Sequence, residues 1–114
     1  MERNRKMGIE ELLAKASTYM KEQDLKRIRD AYEYAEEAHR GQMRKSGEPY
    51  ILHPVAVAEI LADMQMDVGT IEAALLHEVV EDTKVTLDGL RKRFGETLAR
   101  IVDGLTKLER IQFR

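Results

Sequence analysis

The sequence has 114 residues, 43% of them apolar and 35% charged, with no cysteine and a net charge of −2. This length suits one domain or a piece of one, and it buries a core without cross-links. The missing cysteines exclude disulfides, thiolate zinc sites, iron–sulfur clusters and a thiol nucleophile. The charge balance excludes a nucleic-acid polycation, so no direct nucleic-acid binding is expected. No apolar run approaches the roughly 18 residues of a membrane span. No apolar segment follows the charged stretch Met1-Glu2-Arg3-Asn4-Arg5-Lys6, so no secretory signal is expected either. These features fit a cytoplasmic chain whose metals, if any, are bound by carboxylates and by His39, His53 and His77.

Apolar residues recur at helical spacing through most of the chain, which predicts an all-α fold of about six helices. A first helix is expected over residues 8–21, burying Ile9, Leu12, Leu13, Ala16 and Met20. A second is expected over 24–40, with Asp24 as its N-cap, Leu25, Ile28, Tyr32 and Ala35 inward, and Gly41 just beyond its end. Glycine and proline punctuate residues 41–53, which predicts a loop.

Pro54 favours the opening turn of a third helix over 54–65, with Val57, Ile60, Leu61 and Met64 as its apolar face. The residue before a proline is biased toward extended backbone, which places His53 at the lip of that helix. Thr70 is the expected cap of a fourth helix, which runs to Asp82 and is apolar on most sides, so it belongs in the middle of the domain. A fifth helix over 87–94 follows Thr86 and stops at Gly95. A sixth begins near Glu96 with Leu98, Ile101, Val102, Leu105 and Leu108 on one side. Its pattern is unfinished at Arg114, so Ile111 and Phe113 are expected to be exposed unless something covers them.

The chemistry concentrates in Ala73-Ala74-Leu75-Leu76-His77-Glu78-Val79-Val80-Glu81-Asp82. His77 and Glu81 stand four residues apart and share a helix face, as do Glu78 and Asp82. Either the helix end emerges into water here, or an Arg, a Lys or a divalent cation offsets the charge. The zincin pattern H-E-x-x-H is not met, because Glu81 stands where its second histidine belongs. Alone, His53 suits a capping or packing role; with His77 and Glu78 it makes a His, His, carboxylate set of the kind that takes Mn²⁺ or Fe²⁺. His39 reads as a histidine favoured by the end of its helix. Arg40, Arg44 and Lys45 make the loop locally basic, either as a solvated loop or as a binding surface for phosphate. The clusters Lys26-Arg27-Arg29 and Arg91-Lys92-Arg93 read as solvated helix faces.

Residues His39 to Pro54, HRGQMRKSGEPYILHP, resemble the H-x-G-Q-x-R-K-S-G-E-P-Y-I-x-H-P signature of RelA/SpoT-type proteins. Ala73 to Thr83 is similar to that family's A-A-L-L-H-D-V-V-E-D-T, and Val102 to Leu108 to its V-D-G-V-T-K-L. The likeness covers residues 8–110. It implies an all-α HD-domain bundle that removes pyrophosphate from the 3′ position of ppGpp or pppGpp with Mn²⁺, with a synthetase domain downstream in longer members. By position it implies His53, His77 and Glu78 as metal ligands. It implies Glu81 and Asp82 as the pair acting on the attacking water, and Arg44, Lys45 and Ser46 as the guanine-nucleotide loop.

Two departures qualify this. The family pattern has His-Asp where this chain has His77-Glu78, and one further methylene moves the carboxylate by about 1.5 Å. The family's fourth ligand, an aspartate in a later helix, has no counterpart before Arg114, and Asp103 belongs to a different motif. The chain is therefore expected to be the N-terminal part of such a hydrolase domain, truncated at its C-terminus. The alternative is a hydrolase-dead regulatory or nucleotide-binding module of a GTP pyrophosphokinase.

Overall fold

A computed structural model describes residues 3–112, with side chains described for 8–108. The described residues form six helices: α1 (Arg3–Ser17), α2 (Glu22–Ala38), α3 (Leu52–Asp63), α4 (Val68–Asp82), α5 (Leu87–Phe94) and α6 (Glu96–Gln112). They contain no β-strand, so the all-α expectation holds. Ile111 and Phe113 lie outside the described side chains.

α4 is the hub. It packs against α2, α3 and α6, burying Ile71, Leu75, Leu76 and Val79. α1 lies across α2 and α3 and contributes Ile9, Leu12, Leu13 and Ala16 to the core. A helix that is apolar almost all round must sit where neighbours cover every side, and the position of α4 meets that condition.

Local signals placed several helix ends. The Thr86 hydroxyl accepts from Gly89 N at 3.0 Å, capping α5 as expected. Gly95 ends α5 with φ +102°, in the left-handed region that favours glycine. Other caps differ from expectation. α2 starts at Glu22 after Lys21, and Asp24 falls inside its first turn, where a carboxylate still suits the helix dipole. Asp67 precedes α4, and Thr70 donates its hydroxyl to Asp67 Oδ1 at 2.5 Å rather than capping the helix itself.

α3 departs most from its expected form. It begins at Leu52, so His53 is helical despite the bias that Pro54 imposes. Pro54 falls in the first turn, where a missing N–H deprives no intrahelical acceptor. Its buried face is Pro54, Val55, Ala58 and Ala62, while Val57, Ile60 and Met64 are exposed. Both faces repeat at helical spacing. The one with two alanines lets α3 approach both α1 and α4 closely.

Candidate functional site

Residues 39–51 form an ordered reversal rather than a free loop. Met43 and Pro49 make a single antiparallel bridge. Tyr50 N donates to Gln42 O at 3.0 Å, and Arg44 N to Glu48 O at 2.9 Å. Gly47, at φ +92°, turns the chain and donates its N–H to Arg44 O at 2.8 Å. Arg44, Lys45 and Ser46 therefore stand exposed at the tip of a small hairpin-like turn.

The turn is anchored to the end of α4. Gln42 Nε2 donates to Asp82 O at 2.8 Å. That orientation leaves Gln42 Oε1 to accept from His39 Nδ1 at 2.8 Å. His39 stands at the end of α2, as expected, and is 2% exposed, so it serves there as a buried platform. The Tyr50 ring stacks on it at 4.7 Å between centroids, 29° from parallel, and meets the His53 ring edge-on at 6.3 Å.

Tyr50 carries the central contact. Its hydroxyl lies 2.9 Å from Glu78 Oε1 and 2.9 Å from Asp82 Oδ2. These two carboxylates are one helical turn apart on α4. Burial, reinforced by both carboxylates, pushes the phenol pKa well above its ordinary 10.0, so Tyr50 remains a proton donor. Its single proton serves one carboxylate at a time.

His53, His77 and Glu78 line one cavity of about 540 Å³ between α3, α4 and α6. Val57, Leu61, Ile101, Leu105 and Leu108 make much of its apolar wall. Periodicity assigned these residues to apolar helix faces; Val57, Ile101, Leu105 and Leu108 are instead exposed. His53 Nε2 stands 3.9 Å from Glu78 Oε1, with both side chains partly exposed. The described lining does not include Arg44, Lys45, Ser46, Glu81 or Asp82. Asp82 is linked to Glu78, which lines the cavity, by the Tyr50 hydroxyl between them, and Glu81 is exposed at the end of α4.

The donor types suit a divalent cation: imidazole is a borderline ligand and carboxylate a hard one, a mixture that first-row divalent metals accept. With each ligand about 2.1 Å from an ion, the 3.9 Å between His53 and Glu78 can be spanned by one ion. Among the described residues, however, no three His, Asp or Glu side chains converge as a metal centre. The fit is thus in donor chemistry and in one pair of ligands, not in a closed site.

Sequence reasoning passed over Tyr50 and Gln42 as individual residues, although both lie inside the signature stretch. Nothing in their spacing shows that one meets two carboxylates and the other a main-chain carbonyl about 40 positions away. Arg27 lies on the face read as solvated and half of its side chain is exposed, but its guanidinium also pairs with Glu72, which is 3% exposed. Arg91 pairs with Asp88 and with Glu96, and the Arg93 guanidinium lies 5.1 Å from the Phe94 ring centroid.

This helical bundle, with its histidines and carboxylates gathered where α3 begins and α4 ends, defines a protein of the HD domain family. That family matches residues 31–114, and the chain belongs to it. The likeness to RelA/SpoT-type proteins is borne out. The chain is 53% identical over 97 residues to the bifunctional (p)ppGpp synthase/hydrolase SpoT of Escherichia coli, covering 85% of this chain and 14% of that protein. It is 53% identical over 89 residues to a GTP pyrophosphokinase of Streptomyces coelicolor, covering 78% of this chain and 10% of that one. A guanosine-3′,5′-bis(diphosphate) 3′-pyrophosphohydrolase of Haemophilus influenzae is 54% identical over 80 residues, 70% of this chain and 12% of its own length. The chain thus spans about a seventh or less of these curated relatives. Membership of the HD family points to a divalent metal without specifying which. No described helix is long and apolar enough to cross a membrane.

Proposed function

We propose that this chain is part of a cytoplasmic, Mn²⁺-dependent hydrolase domain that removes the 3′-pyrophosphate of ppGpp or pppGpp. The carrying observation is that His53, His77 and Glu78 line one cavity while Tyr50 joins Glu78 to Asp82. In this reading His53, His77 and Glu78 hold the metal. The ion supplies charge neutralisation at phosphoryl oxygens and a lowered pKa for bound water. Glu81 and Asp82 orient the attacking water and accept its proton. Arg44, Lys45 and Ser46 bind the guanine nucleotide from the hairpin tip, where an Arg can pair phosphate or stack on a base. The names of the SpoT and GTP pyrophosphokinase relatives include the synthetic activity, which supports a synthetase domain downstream in a longer protein as part of this proposal.

The test is pyrophosphate release from ppGpp by the purified chain with Mn²⁺. Release that vanishes on chelation supports the reading, and its absence overturns hydrolysis by this chain. Arg44→Ala should weaken ppGpp binding about tenfold, the scale of one charge-assisted contact; unchanged affinity removes the hairpin tip from the nucleotide site.

A second reading is a nucleotide-binding regulatory module without hydrolysis. It is favoured by the lack of a converged three-ligand centre among the described residues and by glutamate at position 78. Tight ppGpp binding without pyrophosphate release selects it.

A further inference from the structure

We infer that Tyr50 is a positioning residue for the cavity: its hydroxyl directs Glu78 Oε1 toward His53. The inference rests on the proposed reading of the cavity as a metal site, and it gives a role to Tyr50, whose contacts that reading cites without assigning it one.

The same oxygen makes both approaches. Glu78 Oε1 lies 2.9 Å from the Tyr50 hydroxyl and 3.9 Å from His53 Nε2. A carboxylate oxygen has two lone pairs, so accepting from a phenol leaves one directed elsewhere. Glutamate has several rotatable bonds, and an unheld carboxylate would lose that freedom on binding an ion. A hydrogen bond from a fixed donor removes this cost in advance, which is how outer partners sharpen metal ligands.

Tyr50 is well placed to be that donor. Its ring rests on buried His39, and its N–H bonds Gln42 O at 3.0 Å. Gln42 in turn holds Asp82 O. The hydroxyl thus belongs to a post held by its ring on His39 and by its main chain on Gln42, which is itself anchored to Asp82. The glutamate at 78 is part of this arrangement. An aspartate, one methylene shorter, would withdraw the carboxylate by about 1.5 Å and part it from the hydroxyl.

The experiment is a calorimetric Mn²⁺ titration of the whole chain as wild type, Tyr50→Phe, Glu78→Asp and the double variant, with ppGpp turnover followed separately. Phenylalanine keeps the ring on His39 and removes only the hydroxyl. Tyr50→Phe should weaken Mn²⁺ binding about tenfold, the usual cost of losing an outer partner of a ligand. In the Glu78→Asp background the same change should shift affinity less than twofold, a coupling that a general loss of stability would not produce. Equal affinities of wild type and Tyr50→Phe overturn the inference. So does a tenfold loss that persists with Asp at 78, or a wild type that binds no Mn²⁺. A wild type whose Mn²⁺ affinity depends on Tyr50 through Glu78, yet which releases no pyrophosphate, supports the Tyr50 role while removing the hydrolase reading.

Discussion

Arg27 on α2 and Glu72 on α4 meet through two hydrogen bonds, Nη2 to Oε1 at 2.6 Å and Nε to Oε2 at 3.2 Å. Glu72 is 3% exposed, while half of the Arg27 side chain remains in water. The pair joins two of the most extensively packed helices. Arg27→Met leaves a buried carboxylate without its partner and should cost about 2–3 kcal/mol, below the full range for a buried pair because water reaches the guanidinium. Adding Glu72→Leu should recover most of that loss. Urea unfolding of the single and double variants measures both, and a double variant no more stable than Arg27→Met counts against a desolvation cost.

The same carboxylate makes stability depend on pH. Burial raises the Glu72 pKa above its ordinary 4.5, with Arg27 opposing the shift. The folded chain therefore holds this proton more firmly than the unfolded chain. The resulting stabilisation is fully present below pH 4.5 and is lost as pH rises through the folded pKa. Relative to Glu72→Gln, the wild type should gain stability as pH falls from neutrality toward 4.5. A gain in the opposite direction would show that the ion pair outweighs burial.

The packing of α3 separates two substitutions. Ala58 is fully buried and Ile60 is 60% exposed. Ala58→Leu should overpack the junction with α1 and α4 and cost about 1–3 kcal/mol. Ile60→Lys should stay within about 0.5 kcal/mol of wild type. Thermal denaturation ranks them, and the reverse order would mean that the other face of α3 is the buried one.

Much of the helical order was legible because its signals are local. Thr86 and Gly95 bound α5 through backbone groups within a few residues of themselves, and the boundaries matched. The first ends of α2 and α4 were less legible. Asp24 and Thr70 are good capping residues that lie a few positions inside their helices, where Lys21 and Asp67 precede them. Short-range preference cannot rank neighbouring caps when the packed face of the helix selects the register.

The sequence by itself determined an all-α chain, an apolar α4 at its centre, and signature stretches that lie within the region matched to the HD family. Periodicity and turn chemistry act over a few residues and can be read there. Only the tertiary structure decided which of the two apolar stripes of α3 is buried. It alone put His53, His77 and Glu78 on one cavity, and it alone brought the Tyr50 hydroxyl within 2.9 Å of both Glu78 and Asp82. Those outcomes depend on how closely α1, α3 and α4 approach and on where the anchored turn sets one phenol. Such distances come from the packing of the whole bundle, not from the spacing of residues along the chain.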